Sequence, residues 1–218
     1  MYLFLGDEYS HYLSRAKTLT ERIVRRGNTA HTSKAALTHF HYGIVKDYNS
    51  ANLYYLLKIP KMSDRFHYVE KKALFEWKIK EETKSIKDYK VQKATTSFAG
   101  RDFVAWFTSE IPIADGPYKF NGLPGPIMEI ENQKDHYSFE LGSLETLKTL
   151  VTHEFDSEKH LEISQQELEK VSDNYNRDPI GAVEEAGITF GIAPGQREKM
   201  HQEHLKELKK KNNPIELE

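Results

Sequence analysis

Apolar and polar positions alternate in short runs along much of this chain, the period-two signature of half-buried strands. Tyr2 to Leu5 reads as a short strand ended by a Gly6-Asp7 turn, with Tyr9 to Leu13 as its partner. Ala16, Leu19 and Ile23 follow at helical spacing among Arg15, Lys17, Arg22, Arg25 and Arg26, which predicts a short amphipathic helix stopped at Gly27-Asn28. Strand-like runs resume at His39 to Val45, Leu53 to Ile59, Arg65 to Val69 and Phe75 to Lys80, spaced as in an antiparallel meander. Tyr89 to Phe98 alternates, and Phe103-Val104-Ala105-Trp106-Phe107 is continuously apolar, as a central strand covered on both faces would be. Gly100-Arg101-Asp102 lies between them as a hairpin turn. Period two then places Met128 and Ile130 on one face, and Tyr137, Phe139 and Leu141 on one face, with Glu129, Glu131 and Glu140 on the solvated side.

The last third changes period. Ser164-Gln165-Gln166-Glu167 is a capping box, in which the Ser hydroxyl accepts the N3 amide and Glu reaches back to the cap amide. Leu168, Val171 and Tyr175 continue it as one helical face. Asp178-Pro179 offers a second helix start, with an end near Gly187, and Pro194 to Lys211 reads as a third, very polar helix. The fold class expected is α+β: an antiparallel, curved meander with a short N-terminal helix and C-terminal helices. One domain is expected over residues 1–218, with a β-rich core over about 39–142 and a helical part over about 162–212.

One stretch breaks the alternation. Ile111 to Pro126 holds four prolines and three glycines, so it cannot continue a central strand. An ordered but irregular loop is expected, with Tyr118 and Phe120 to pack it down.

Composition narrows the classes. Apolar residues make up 38% of the 218 and aromatic residues 11%. The first figure is below the roughly 45–50% of an average domain, which implies a modest core under a polar surface. A formal net charge of −2 argues against a nucleic-acid partner. The absence of cysteine excludes thiol catalysis and disulfide frameworks. No run of about 18 apolar residues predicts a membrane span, and Met1 to Asp7 is too short and too soon acidic for a signal peptide.

The elements Lys93-Ala94-Thr95-Thr96, Ala105-Trp106-Phe107-Thr108, Ile111-Pro112, Asp115-Gly116-Pro117-Tyr118-Lys119-Phe120 and Gly122-Leu123-Pro124-Gly125 occur in that order. Together they resemble the GLPGLI family of Bacteroidetes, most strongly from about Phe75 to Leu141. Leu3 to Ser14 and the Asn212 to Leu217 tail are also family-like. Pro126 stands where the namesake motif has Leu, and Val91 where many members carry Cys. The resemblance implies an exported, periplasmic protein whose leader this chain does not show; if this start is genuine, the location is cytoplasmic. The family carries no defined activity, so no catalytic residue and no cofactor transfers from it.

Candidate sites follow from the loop and its neighbours. Trp106, Asp115, Tyr118, Lys119, Phe120 and Leu123 are the residues expected to meet a ligand or partner. Trp77 and Trp106 with Phe75, Phe103, Phe107 and Phe139 can line an apolar pocket, and are equally the material of a β core. Asp115 and Glu129, near Arg101, can be drawn as an acid–base pair, although Asp115 more simply caps its Asp-Gly turn. His39 and His41 share a strand face, and His201 and His204 share a helix face. Neither pair has an evident third ligand, so no metal is expected. The functional expectation is a non-enzymatic envelope protein binding an apolar ligand or peptide on its sheet. The alternatives are an adaptor for outer-membrane machinery and, lower, a hydrolase using loop carboxylates or a histidine.

Overall fold

A computed structural model of the chain describes residues 1–15, 42–58, 65–73, 75–132, 136–146, 157–185, 187, 191, 195–209 and 215–216. The expected N-terminal helix from Ala16, and the His39/His41 pair, lie outside the described residues.

The class is α+β, with the strands divided between two sheets. The first holds β1 (Tyr2–Leu5), β2 (Tyr9–Leu13), β3 (Tyr42–Asp47), β4 (Asn52–Lys58) and β5 (Arg65–Lys71) as an antiparallel meander, closed by the short parallel strand β11 (Leu161–Glu162). The second is antiparallel throughout, in the order β10-β9-β8-β7-β6, from β6 (Lys78–Ile86), β7 (Tyr89–Phe98), β8 (Arg101–Phe107), β9 (Ile127–Asn132) and β10 (Ser138–Glu140). The single meander read from the sequence is thus two. Phe75 and Trp77 precede β6 and turn their rings into the core instead of opening the strand.

The sheets share one core. Tyr12, Ile44 and Leu53 from the first pack with Ala94, Phe103, Ala105, Phe107 and Ile130 from the second. On β8, Phe103, Ala105 and Phe107 are buried while Val104 and Trp106 on the other face are half-buried. The tight turn into β8 sits one residue earlier than expected: Phe98 pairs with Arg101, and Ala99 and Gly100 both take positive φ, as a two-residue I′ hairpin requires. The expected pairing of Met128 with Ile130 on one face does not hold. The β8–β9 register shifts between Trp106 and Phe107. Ile130 joins the inter-sheet core, while Met128 joins Ile86, Val91 and Leu141 in a separate cluster beside Trp106. A β-bulge inserts one residue and reverses the alternation beyond it.

Among the described residues the α-helices are α1 (Gln165–Arg177), α2 (Pro179–Glu185) and α3 (Gln196–Lys209). The capping box forms: Ser164 Oγ accepts from the Glu167 N–H, and the Ser164 N–H donates to Glu167 Oε2 at 2.8 Å. Leu168 of α1 packs on Leu57 and Tyr68, with Val171 and Tyr175 beside it, so the helix covers the end of the tyrosine-rich face of the first sheet. On that face the rings of Tyr42, Tyr55 and Tyr68 stack across three strands at 5.3 and 5.1 Å.

Candidate functional site

The loop from Ile111 to Pro126 is closed at its neck, where the Thr108 N–H donates to the Pro126 carbonyl at 3.2 Å and the Ile127 N–H to the Asp115 carbonyl at 2.9 Å. Two glycines sit where a side chain would crowd the neck, Gly125 against backbone and Gly116 against the Ile127 side chain. A Cβ on Gly125, whose φ is +148°, would stand 1.8 Å from the Thr108 carbonyl oxygen, and one on Gly116 would stand 2.7 Å from Ile127 Cδ1. The loop then folds inward. Tyr118, Phe120 and Leu123 are members of the inter-sheet core, and Phe120 lies within 4.8–5.8 Å of the rings of Phe103, Phe75 and Phe98. Trp77 Nε1 donates to the Asn121 carbonyl at 2.8 Å, fastening the loop to the approach to β6.

Asp115 is buried on an ammonium. Lys46 of β3, 1% exposed, forms an ion pair with Asp115 Oδ1 and donates to the carbonyls of Gly116 at 2.6 Å and Phe120 at 2.9 Å. Tyr48 donates its hydroxyl to Asp115 Oδ2 at 2.8 Å, and the Gly116 N–H donates to Oδ1 at 2.6 Å. Burial pushes the Lys46 ammonium below its ordinary pKa and the Asp115 carboxylate pushes it back up. Three acceptors around the buried Lys46 Nζ satisfy its donors completely. The Asp-Gly turn cap expected from sequence is present, inside a cross-sheet ion pair that sequence reading did not assign.

Lys119 makes the second tether. It is 4% exposed and bridges Glu70 of β5 at 2.8 Å and Glu216 at 2.9 Å, with the Tyr118 hydroxyl also donating to Glu216. Arg101 Nε donates to the Ile215 carbonyl at 3.1 Å, and Ile215 packs against the core.

The six expected site residues are therefore not one patch. Asp115, Tyr118, Lys119, Phe120 and Leu123 lie together, buried, between the sheets. Trp106 lies on the opposite face of the second sheet, with the Lys84 ammonium 4.4 Å above its ring and Glu129 on Lys84 at 2.9 Å. Asp115 and Glu129 each have their own lysine on different faces of that sheet, so the arrangement does not bring them together as an acid–base pair. His201 and His204 sit on α3, where His204 Nε2 contacts the Asn176 carbonyl at 2.6 Å. Among the described residues no group of three or more potential ligands converges on a metal position. None of the helices described is long and apolar enough to cross a membrane.

Sequence reading missed Lys46, Tyr48, Glu70 and the tail residues as partners of the loop. Lys46 had a signal: Tyr42, Ile44 and Lys46 share a strand face, and a lysine in an apolar row needs a buried carboxylate. A groove was also missed. It measures about 520 Å³ and lies beside β5, lined by Tyr68, Val69, Glu70, Ile163 and the start of α1.

No curated protein matches this chain. Several solved chains share its fold, two of them described as PNGF-II. One, described as PNGF-II in a C2 space group, is 16% identical with a TM-score of 0.56, covering 76% of this chain and 28% of that one. The other, PNGF-II in a P21 space group, is 13% identical with a TM-score of 0.51, covering 77% of this chain and 28% of that one. The chain thus spans under a third of those structures, and at such identities the likeness concerns the fold alone. A family model described as "Protein of unknown function (Porph_ging)" matches residues 99–129, which run from the Ala99-Gly100 turn through β8 and the buried loop into β9.

Proposed function

We propose that this chain is a non-enzymatic binding protein of the GLPGLI type, working in the periplasm, that takes an extended peptide along the open edge of β5. The observation that carries this reading is the groove beside that edge. Among the described residues β11 pairs only with Phe66 and His67, and the Ile163 N–H adds one bond to the His67 carbonyl at 2.9 Å. On the other side of β5, the Lys72 N–H bonds Ala51 in register with the β4 ladder. Alternation in an antiparallel ladder then turns the N–H and C=O of Val69 and Lys71 away from β4, and of the two Val69 lines the groove. Among the described residues nothing bonds to those groups. An edge with free donors and acceptors beside a cleft is the setting for strand addition, in which main-chain bonds supply affinity and alternate side chains supply selectivity.

Glu70 and Glu162 border the groove and Val69 is 38% exposed within it, which favours a segment alternating basic and apolar side chains. The loop occupies the space between the sheets that a buried apolar ligand would need, so the peptide is favoured over that ligand. An adaptor role is the form of this reading in which the segment belongs to a larger envelope protein.

The test is an amide NMR titration with the peptide Lys-Val-Lys-Val-Lys-Val. The Val69 and Lys71 amides should move first. Val69→Pro removes an N–H that the β4 ladder does not use, so it should abolish the response with unchanged circular dichroism. Equal binding by Val69→Pro, or shifts confined to other surfaces, would refute the assignment.

A further inference from the structure

Ile215 and Glu216 dock onto residues of β8 and of the buried loop. These residues pair with no strand and belong to no helix. They are held by side chains, in three chemically distinct ways. Ile215 enters the margin of the inter-sheet core. Its carbonyl accepts from Arg101 Nε at 3.1 Å. The Glu216 carboxylate accepts from the Tyr118 hydroxyl and pairs with Lys119 at 2.9 Å. Arg101, Tyr118 and Lys119 are only 7%, 5% and 4% exposed. An apolar pocket, a donor for a main-chain carbonyl and a buried cation with a hydroxyl for a carboxylate are the parts of a peptide-recognition site.

The groups that hold the segment are also held by contacts of their own. Arg101 is fixed by the β7–β8 hairpin, where it pairs with Phe98. Tyr118 and Lys119 are set by the loop, which Lys46 holds through the Gly116 and Phe120 carbonyls. Lys119 keeps a second carboxylate, Glu70 at 2.8 Å, so its ammonium is not stranded when Glu216 leaves. The Tyr118 hydroxyl, by contrast, loses the acceptor it has in Glu216. Release of the segment leaves a preformed receptor with an unused donor and a partly compensated buried cation.

We propose that this cleft is a binding site for an apolar–acidic dipeptide segment, occupied here by the chain's own Ile215–Glu216 and able to take the same segment from a second copy of this chain. Tethering gives the resident segment an effective concentration in the millimolar range, which keeps the cleft closed to weak competitors. Exchange between copies is the low-cost route by which such a segment links two molecules. This site is distinct from the β5 groove, although Glu70 borders both.

The experiment uses the full chain carrying Ile215→Ser and Glu216→Lys, which removes the resident contacts without shortening the protein. The probe is a fluorescein-labelled peptide with the sequence of residues 212–218, followed by anisotropy. The double variant should bind it saturably and the unaltered chain about tenfold more weakly or worse, and a probe carrying Glu216→Gln should lose about tenfold, the value of one charge-assisted bond. Val69→Pro added to the double variant should leave probe binding intact, which separates this result from that of the peptide groove. If the double variant does not fold, full-length Glu216→Gln serves as receptor, with the same expectation against the unaltered chain. A folded receptor without saturable binding, equal binding by the unaltered chain, or indifference to Glu216→Gln in the probe would overturn the proposal.

Discussion

Lys46 shows how much a single buried charge decides here. It stands in a row of core-facing side chains, and the loop supplies every acceptor it uses. Removing one member of such a pair leaves the other charge buried and uncompensated. Asp115→Ala should therefore lower stability by about 3–5 kcal/mol, measured by urea unfolding. Lys46→Met with Asp115→Leu, which removes both charges, should recover a large part of that loss, because desolvation offsets much of what a buried ion pair gains. A double variant no more stable than Asp115→Ala alone would mean that the hydrogen bonds to the Gly116 and Phe120 carbonyls, and not the charges, hold the loop. The pair was half-legible: Asp115 and its turn could be read from local sequence, but its partner lies 69 positions away, where spacing carries no information.

At the scale of elements, the docking of β11 onto β5 is sensitive to pH. His67 is buried at this junction, and burial lowers its pKa while Glu162, 3.7 Å away, partly opposes the shift. A histidine whose folded pKa lies below its unfolded value of about 6.5 stays neutral in the fold while the unfolded chain takes up a proton. Its stabilising contribution is complete above that value and is lost as pH falls from it toward the folded pKa. Unfolding free energies should thus decline as pH is lowered below about 6.5, and His67→Gln should flatten that slope when pH 7.5 and pH 5.5 are compared. The next element behaves as its sequence dictates. The capping box at Ser164 is a local device, with all its atoms within four residues, so it could be read directly. The β9 strand could not: its alternation was visible, but the bulge opposite Trp106 depends on β8 and turns Met128 away from Ile130.

Across the whole molecule, the loop is the shared filling of two sheets. Phe120, fully buried, touches rings or chains contributed by β8, the approach to β6 and the end of β7. Phe120→Ala should cost about 3–5 kcal/mol. Because one core serves both sheets, the loss should appear as a single shifted transition in which tryptophan fluorescence and far-ultraviolet circular dichroism coincide. Two separated transitions would show that the sheets unfold independently. The Pro/Gly content of the loop announced irregular backbone, and Tyr118 and Phe120 announced that it would be packed down, but not that it would fill the space between two sheets. The inward direction is a consequence of closure at Thr108 and Pro126 and of the anchors Lys46 and Trp77.

The sequence by itself determined the local grammar: strand periods, the irregular loop, the capped helix and the α+β class. These follow from propensity, capping and period, which act over a few residues. Tertiary structure alone decided the division into two sheets, the burial of the loop, the pairing of Lys46 with Asp115 and the seating of Ile215 and Glu216. Tyr118 meets Glu216 across 98 positions and Arg101 meets Ile215 across 114. Such contacts arise because buried charges and apolar faces must find partners somewhere in the fold, and which partners they find depends on how the sheets close around them.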